Sequence, residues 1–215
     1  MVIARIKSKI ERDGIIGLIR TGCEIIKEAI YSNKEAYYLV ANLSDAAGGM
    51  KARKNFDTVI LEKNSLHSLE ASVDNKKLRD KIRKRILAGR VAFLGIVDGK
   101  VAAYWFASTD DEYEPVYGIH VRPEREEVYL FDAYTFPEFR SAGYSSALLS
   151  EVLEYFRKRG HQKATAIVGV SNTPSLKVLS KSNFFRQKCI RTIRLAGFVV
   201  RECVTILDGS DLPHK

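Results

Sequence analysis

The sequence predicts an α/β protein in which a mixed sheet is flanked by helices. Two apolar runs, 91–97 and 100–106, are joined by an Asp-Gly pair, which is typical of a β-hairpin. Further along, strand-like runs at 127–136 and 163–168 are each followed by an amphipathic helical pattern. Strands that alternate with helices in this way favour a sheet covered by helices.

The other elements follow from the same patterns. Residues 58–62 form an apolar run that predicts the first strand, and the basic segment 75–87 has the spacing of a helix. Three more strand-like runs complete the predicted sheet, at 117–121, 189–193 and 199–206.

The N-terminal part of the chain repeats isoleucine and leucine every three or four residues, with basic residues between them. This spacing predicts an amphipathic helix from about Ile3 to Tyr38, broken near Asp13-Gly14. We therefore expect an N-terminal helical extension over 1–55 and a second domain over 56–215. The extension either caps the domain or makes a homodimer contact; the alternative is a helix pair on a membrane surface.

Composition restricts the class of protein. The chain has 215 residues, 46% of them hydrophobic and 28% charged, which is ordinary for a globular protein with one good-sized core. The three cysteines are scattered and lie near no histidine cluster, so we expect neither a disulfide framework nor a metal site. This cysteine usage fits a reducing cytoplasm best. No uninterrupted apolar stretch reaches about 18 residues, so we expect no membrane-spanning helix.

Charge is unevenly distributed along the chain. The net charge is +9, and residues 76–90 carry eight Lys and Arg against one acid, whereas 110–138 carries nine acids against two arginines. A nucleic-acid surface is expected to keep charges of one sign together along a groove. This distribution therefore does not favour a nucleic acid as partner, which leaves an anionic membrane face or an anionic cofactor as explanations of the net positive charge.

The segment from Phe136 to Leu149 joins a strand-like run to a helical pattern and carries the residues Arg-Ser-Ala-Gly-Tyr-Ser at 140–145. A bend of small residues at such a junction leaves backbone N–H groups without helical partners. Together with the positive end of the helix dipole, these donors suit a pyrophosphate. Glycine at 143 allows the phosphate to approach the backbone closely, although many α/β proteins contain such a turn with nothing bound.

Over residues 56–204 the sequence resembles the GNAT superfamily of acetyl-CoA-dependent N-acetyltransferases. The 140–145 segment looks like the family's pyrophosphate loop, Asn172 and Ser175 match its N-x-x-S/A element, and Asn183-Phe184 takes the place of its Gly-Phe helix end. Two residues depart from the family pattern: Ser145 replaces the last Gly or Ala of the loop, and Leu179 replaces a tyrosine that protonates the departing thiolate.

The resemblance implies a GNAT-like, mostly antiparallel sheet and an acyltransferase that moves an acetyl group from acetyl-CoA to a primary amine by direct attack in a ternary complex. It also implies that the two strand-helix units splay, so that the pantetheine amides of the coenzyme pair with exposed backbone. The residues that it places around acetyl-CoA are Ala133, Tyr134, Thr135, Arg140, Ser141, Ala142, Gly143, Tyr144, Ser145, Ser146, Asn172 and Ser175.

Asp132 is the first candidate for the group that removes a proton from the amine. An alkyl amine is mostly protonated at pH 7, and a carboxylate is the natural acceptor of its proton. The alternative is that Asp132 only bonds neighbouring backbone or an arginine. Three further side chains are weaker candidates for the same role: Glu127, Glu114 and His120.

Tyr134 is the candidate proton donor in place of the tyrosine missing at 179, because two-residue alternation puts it on the strand face of Asp132. The alternative is a tyrosine that packs in the core or faces the coenzyme.

The acid-rich segment between Asp110 and Glu127 favours a cationic amine as acceptor. Three other functions remain open. Leu179 is compatible with a coenzyme A-binding module without turnover, the basic segment 76–90 with a tRNA-dependent acyltransferase, and the N-terminal helices with a membrane-peripheral one.

Overall fold

A computed structural model describes residues 31–45, 55–196 and 198–207. Within these residues eight strands form one sheet in the order β10-β9-β1-β8-β7-β4-β3-β2, and β5 and β6 form a separate hairpin. The strands are β1 (Tyr31–Asn42), β2 (Phe56–Leu61), β3 (Val91–Val97), β4 (Lys100–Ser108), β5 (Glu112–Glu114), β6 (Ile119–Val121), β7 (Glu127–Thr135), β8 (Lys163–Gly169), β9 (Phe185–Leu195) and β10 (Phe198–Ile206).

The pairing confirms an α/β fold on a mostly antiparallel sheet. Among the described strands only β7 and β8 run parallel, and every other neighbouring pair is antiparallel. The predicted hairpin is β3–β4, and both turn residues, Asp98 and Gly99, have positive φ angles of 48° and 74°. Two consecutive positive φ angles are the geometry that makes Asp-Gly a favoured two-residue turn.

Four α-helices accompany the sheet in the described residues: α1 (Leu69–Ser72), α2 (Lys76–Leu87), α3 (Tyr144–Lys158) and α4 (Thr173–Ser180). Two short 3-10 helices cover Lys63–Ser68 and Pro137–Phe139. Asn75 begins α2 by accepting a hydrogen bond from the Leu78 backbone N–H at 3.0 Å.

Helices α2 and α3 pack on opposite faces of the sheet. Ile82 of α2 is buried in one hydrophobic cluster with Phe131 of β7, whereas Leu148 of α3 is buried in another with Leu130. Consecutive residues of a strand point to opposite faces, so Leu130 and Phe131 mark the α3 side and the α2 side of the sheet.

Residues 31–42 differ from the sequence prediction. They form strand β1 and not the end of a helix, and β1 lies between β8 and β9, antiparallel to both. The isoleucine repeat ends at residue 30, while 37–40 are Tyr-Tyr-Leu-Val, which suit a pleated, buried position. The helical extension is therefore not supported for residues 31–42, which belong to the same sheet as 56–206; residues 1–30 lie outside the described part of the chain.

The position of β1 predicts the response to Leu39→Ala. Leu39 is buried in the cluster on the α3 side, so removing its side chain should lower the free energy of unfolding by about 2–5 kcal/mol. The measurement is urea denaturation followed by circular dichroism, with Ser32→Ala in the less buried half of β1 as control. A loss as small as that of the control would contradict the insertion of β1 in the sheet.

Candidate active site

Strands β7 and β8 separate within the sheet. Their parallel pairing runs from Glu127 and Lys163 to Leu130 and Ala166 and then stops, although β7 continues to Thr135 and β8 to Gly169. On its other side β7 stays paired with β4 as far as Thr135. The second half of β7 therefore has a free edge that faces β8 across an opening.

A β-bulge accompanies this separation. Tyr104 and Phe106 of β4 pair with Tyr134 and Phe131 of β7, so Trp105 alone lies opposite both Asp132 and Ala133. Asp132 has a φ of 51°, a left-handed conformation that is uncommon for a residue other than glycine. A bulge bends its strand and increases the local twist, which turns the end of β7 away from β8.

A cavity of about 350 Å³ occupies the opening. Its lining includes Leu130 and Val168, which belong to the cluster on the α3 side, and also Phe131 and Ile167, which pack on the α2 side. Because both faces contribute, the cavity lies between the strands and is bordered by residues of both the α3 side and the α2 side.

The loop after β7 has the backbone that the sequence predicted for a phosphate site. Ser141 and Gly143 have positive φ angles of 61° and 82°, and Gly143 caps α3. The first hydrogen bond of α3 runs from the Ala147 N–H to the Gly143 carbonyl at 3.0 Å. Within the described part of the chain, the backbone N–H groups of 141–146 donate to no protein atom. The Arg140 guanidinium uses one of its donors within the protein, since its Nε donates to the Thr135 carbonyl at 3.1 Å.

Asn172, Ser175 and Leu179 line the wall of the cavity that α4 provides. Asn172 caps this helix by accepting a hydrogen bond from the Ser175 N–H at 3.3 Å. Leu179 is fully buried and offers no polar atom to the cavity. The structure thus brings Asn172 and Ser175 together with Asp132 and Ala133, while Tyr134, Thr135 and the 140–146 loop lie outside the cavity lining.

Asp132 lies at the edge of the cavity and is paired with two cations of α2. Its Oδ1 is 2.8 Å from Lys81 Nζ, and its Oδ2 is 3.7 Å from an Arg85 guanidinium nitrogen. Burial acts to lower the pKa of Lys81, but hydrogen bonds to Asp132 and Tyr104 raise it above the usual value overall. Lys81 is therefore charged at neutral pH, and the Asp132 carboxylate lies in a cationic environment.

Tyr134 lies on the same side of the sheet as Asp132 but outside the cavity lining. It is 40% exposed, stacks on Tyr104 with 5.7 Å between ring centroids, and lies 5.7 Å from the Arg140 guanidinium. Lys81 donates to Asp132 and also, at 3.0 Å, to the hydroxyl of Tyr104, the ring on which Tyr134 stacks.

Glu114, which the sequence offered only as a weaker candidate, is the carboxylate with the environment of a base. It ends β5, lines the cavity, and accepts hydrogen bonds from the Tyr129 hydroxyl at 3.2 Å and the Val116 N–H at 3.4 Å. Burial raises the pKa of Glu114, and these two hydrogen bonds oppose that effect only in part. A carboxyl whose pKa is raised toward neutrality is better suited to general base catalysis.

The remaining weaker candidates lie outside the cavity lining. Glu127 is buried and accepts a hydrogen bond from the Tyr38 hydroxyl at 2.8 Å. His120 is exposed, with its Nδ1 2.8 Å from Asp111. Sequence patterns could not distinguish these residues from Glu114, because the distinction comes from where the β5–β6 hairpin packs.

The acidic segment is largely neutralised within the protein. Glu112 is 5% exposed and lies 2.6 Å from both Arg85 and Arg90, which ties the β5–β6 hairpin to α2 and to the start of β3. Asp111 pairs with Arg122 at 3.0 Å as well as with His120. The carboxylates that line the cavity are Glu114 and the ion-paired Asp132, and not Asp111 or Glu112.

Within 31–45, 55–196 and 198–207, no group of three or more His, Cys, Asp or Glu side chains is arranged to hold a metal ion. None of the helices in these ranges is long and apolar enough to cross a bilayer.

Comparisons with known proteins agree with this geometry. The sequence model of the acetyltransferase (GNAT) family matches residues 62–184, more than half of the chain. No curated protein matches the sequence.

Solved structures with the same fold are distant in sequence. A GCN5-related N-acetyltransferase-like protein from Streptococcus suis is 13% identical with a TM-score of 0.52, over 80% of this chain and 67% of that one. A GCN5-related N-acetyltransferase from Sphaerobacter thermophilus is 10% identical with a TM-score of 0.51, over 82% and 56%. A tandem GNAT protein of clavulanic acid biosynthesis is 14% identical with a TM-score of 0.54, over 81% and 58%. This chain thus spans less than two thirds of two of the three structures.

The Glu112 ion pairs predict the effect of Glu112→Gln. The substitution leaves Arg85 and Arg90 without their buried counter-charge, so we expect the free energy of unfolding to fall by about 3 kcal/mol. Urea denaturation measures this change, and Asp111→Asn, which alters an exposed neighbour, should leave the midpoint unchanged. Equal effects of the two substitutions would show that Glu112 does not anchor the hairpin.

Proposed function

The chain belongs to the acetyltransferase (GNAT) family, and on this premise we propose that it transfers an acetyl group from acetyl-CoA to a primary amine by direct attack in a ternary complex. The observation that carries the proposal is the cavity between β7 and β8, which is lined from both faces of the sheet. In this proposal the acyl donor approaches from the α3 side and the amine from the α2 side, and they meet in the cavity. Holding both reactants in line removes much of the entropic barrier to a bimolecular reaction.

The acyl donor would bind along β7 and the loop that follows it. The free edge of β7 at Ala133, Tyr134 and Thr135 can pair with the amides of the pantetheine arm as an added strand would. The unpaired N–H groups of 141–146 and the positive end of α3 suit the diphosphate, and Arg140 adds positive charge beside them. Asn172 and Ser175 would contact the donor from the start of α4.

We assign the base to Glu114 and an orienting role to Asp132. A protonated amine that enters the cavity gives its proton to the carboxylate, and the neutral nitrogen then attacks the thioester carbonyl. Glu114 is partly buried at the cavity wall, which favours proton uptake, while Asp132 is held between Lys81 and Arg85. Asp132 is already paired with two cations, whereas Glu114 bonds a tyrosine hydroxyl and a backbone N–H. Glu114 is therefore the carboxylate that attracts a cation, and the acceptor class that the cavity suits best is a small cationic amine.

The assignment of the base predicts different pH profiles for two variants. Glu114→Gln should lower kcat/KM by about 10²-fold or more and remove the rise of kcat/KM with pH that follows deprotonation of Glu114. Asp132→Asn should reduce the rate but retain that rise. The measurement is release of free thiol from acetyl-CoA with a panel of primary amines between pH 5 and 9; the reverse pattern would assign the base to Asp132.

The donor site predicts a difference between the two glycines at the ends of α3. Gly143→Ala places a methyl group where phosphate approaches and should weaken the affinity for coenzyme A about tenfold, or 1.4 kcal/mol. Gly160→Ala imposes the same backbone strain, with φ of 85°, but its added methyl group meets open space, so affinity should not change. Isothermal titration calorimetry measures both.

The same titrations separate an enzyme from a binding module. Binding of acetyl-CoA without thiol release on any amine would favour a non-catalytic coenzyme A-binding protein, in keeping with the apolar Leu179. Absence of binding would contradict the proposed function altogether.

A further inference from the structure

Tyr117 occupies an unusual place in the cavity wall. It lies in the turn between β5 and β6, is only 8% exposed, and lines the cavity. Buried tyrosine hydroxyls normally have a hydrogen-bond partner. Within the described ranges of the chain, however, the Tyr117 hydroxyl forms no hydrogen bond. The Trp105 indole N–H also lacks a partner but is completely buried, whereas the Tyr117 hydroxyl keeps some accessible surface. A polar group of the cavity wall is thus left for a molecule in the cavity.

Gly169 provides the space for this hydroxyl. A Cβ atom built on Gly169 would lie 2.9 Å from Tyr117 Oη, closer than real Cβ contacts allow. Gly169 is the last residue of β8, beyond the point where β8 leaves β7. Since a glycine in a strand is often a place of close approach, the missing side chain seats the hydroxyl at the edge of the opening.

Tyr117 also lies near the proposed base. The negative charge of Glu114 acts on Tyr117, whose pKa is raised first by burial and then by this charge. The phenol is therefore fully protonated at neutral pH and has a proton to give. Leu179, which also lines the cavity, has none.

We propose that the Tyr117 hydroxyl is the proton donor to the thiolate that leaves when the acetyl group is transferred. In this step the C–N bond to the amine forms, the C–S bond breaks, and the sulfur takes the Tyr117 proton. Glu114 passes the ammonium proton to solvent, takes the second N–H proton as the C–N bond forms, and returns that proton to the Tyr117 phenolate, directly or through water. The sum is acetyl-CoA plus protonated amine giving acetylated amine, coenzyme A and one proton released to solvent, with both side chains restored.

This inference rests on the proposed function, and the experiment separates the two. Tyr117→Phe removes only the hydroxyl and should lower kcat about 10²-fold while the calorimetric affinity for coenzyme A stays the same. Tyr37→Phe, which removes a hydroxyl from β1 outside the cavity lining, serves as control and should leave both values unchanged. Melting curves by circular dichroism establish that each variant is folded.

Gly169→Ala supplies a second test in which Tyr117 is retained. Its methyl group should displace the hydroxyl and lower kcat in the wild-type background, but it should have no further effect on kcat in Tyr117→Phe. This non-additivity is specific to a shared hydroxyl. If Tyr117→Phe does not fold, a Gly169→Ala variant that keeps the wild-type kcat overturns the proton-donor role.

Each outcome has one meaning. If the wild-type chain releases no thiol with any amine, the proposed function and this inference both fail. If it releases thiol and Tyr117→Phe keeps its kcat, only the inference fails. A Tyr117→Phe variant that loses affinity for coenzyme A with an unchanged kcat would make the hydroxyl a binding group and would likewise overturn the proton-donor role.

Discussion

Two residues of β7, Asp132 and Ala133, lie opposite the single residue Trp105 of β4, and this bulge sets the path of the rest of β7. Regular pairing with β8 would continue to Gly169 and close the sheet. A left-handed φ at a residue other than glycine costs roughly 1–3 kcal/mol. Here the ion pairs of Asp132 with Lys81 and Arg85 help to hold the strained residue in place. The free strand edge and the cavity follow from this irregularity.

The β5–β6 hairpin depends on a second set of contacts. Glu112 attaches the hairpin to Arg85 and Arg90, and the Arg194 side chain of β9 donates to the Pro115 carbonyl at 2.9 Å. These contacts place Glu114 and Tyr117 at the cavity wall, where in our proposals one takes a proton and the other gives one. Arg85 contacts both Glu112 and Asp132, so one arginine connects the hairpin to the bulge.

Much of the fold was predictable because it is encoded locally. The Asp-Gly turn fixes the β3–β4 hairpin, the leucine and isoleucine spacing fixes α2, and the glycine at 143 marks the start of α3. The exception is β1, because the helical pattern of residues 3–30 led to the prediction of a helix as far as Tyr38. Its strand conformation depends on pairing with β8 and β9, which follow it by more than 100 residues, and no local pattern contains that information.

By itself the sequence determined the family resemblance, the order of most elements and the loop of unpaired amides at 141–146, because each depends on residues close together in the chain. Only the tertiary structure decided which acids are free to act. Glu112, Glu114 and Asp132 have the same chemical group, and they differ in whether an arginine, a tyrosine or a lysine from another element lies beside them. Such neighbours are set by packing across the sheet, so the chemistry of each carboxylate is a property of the folded chain.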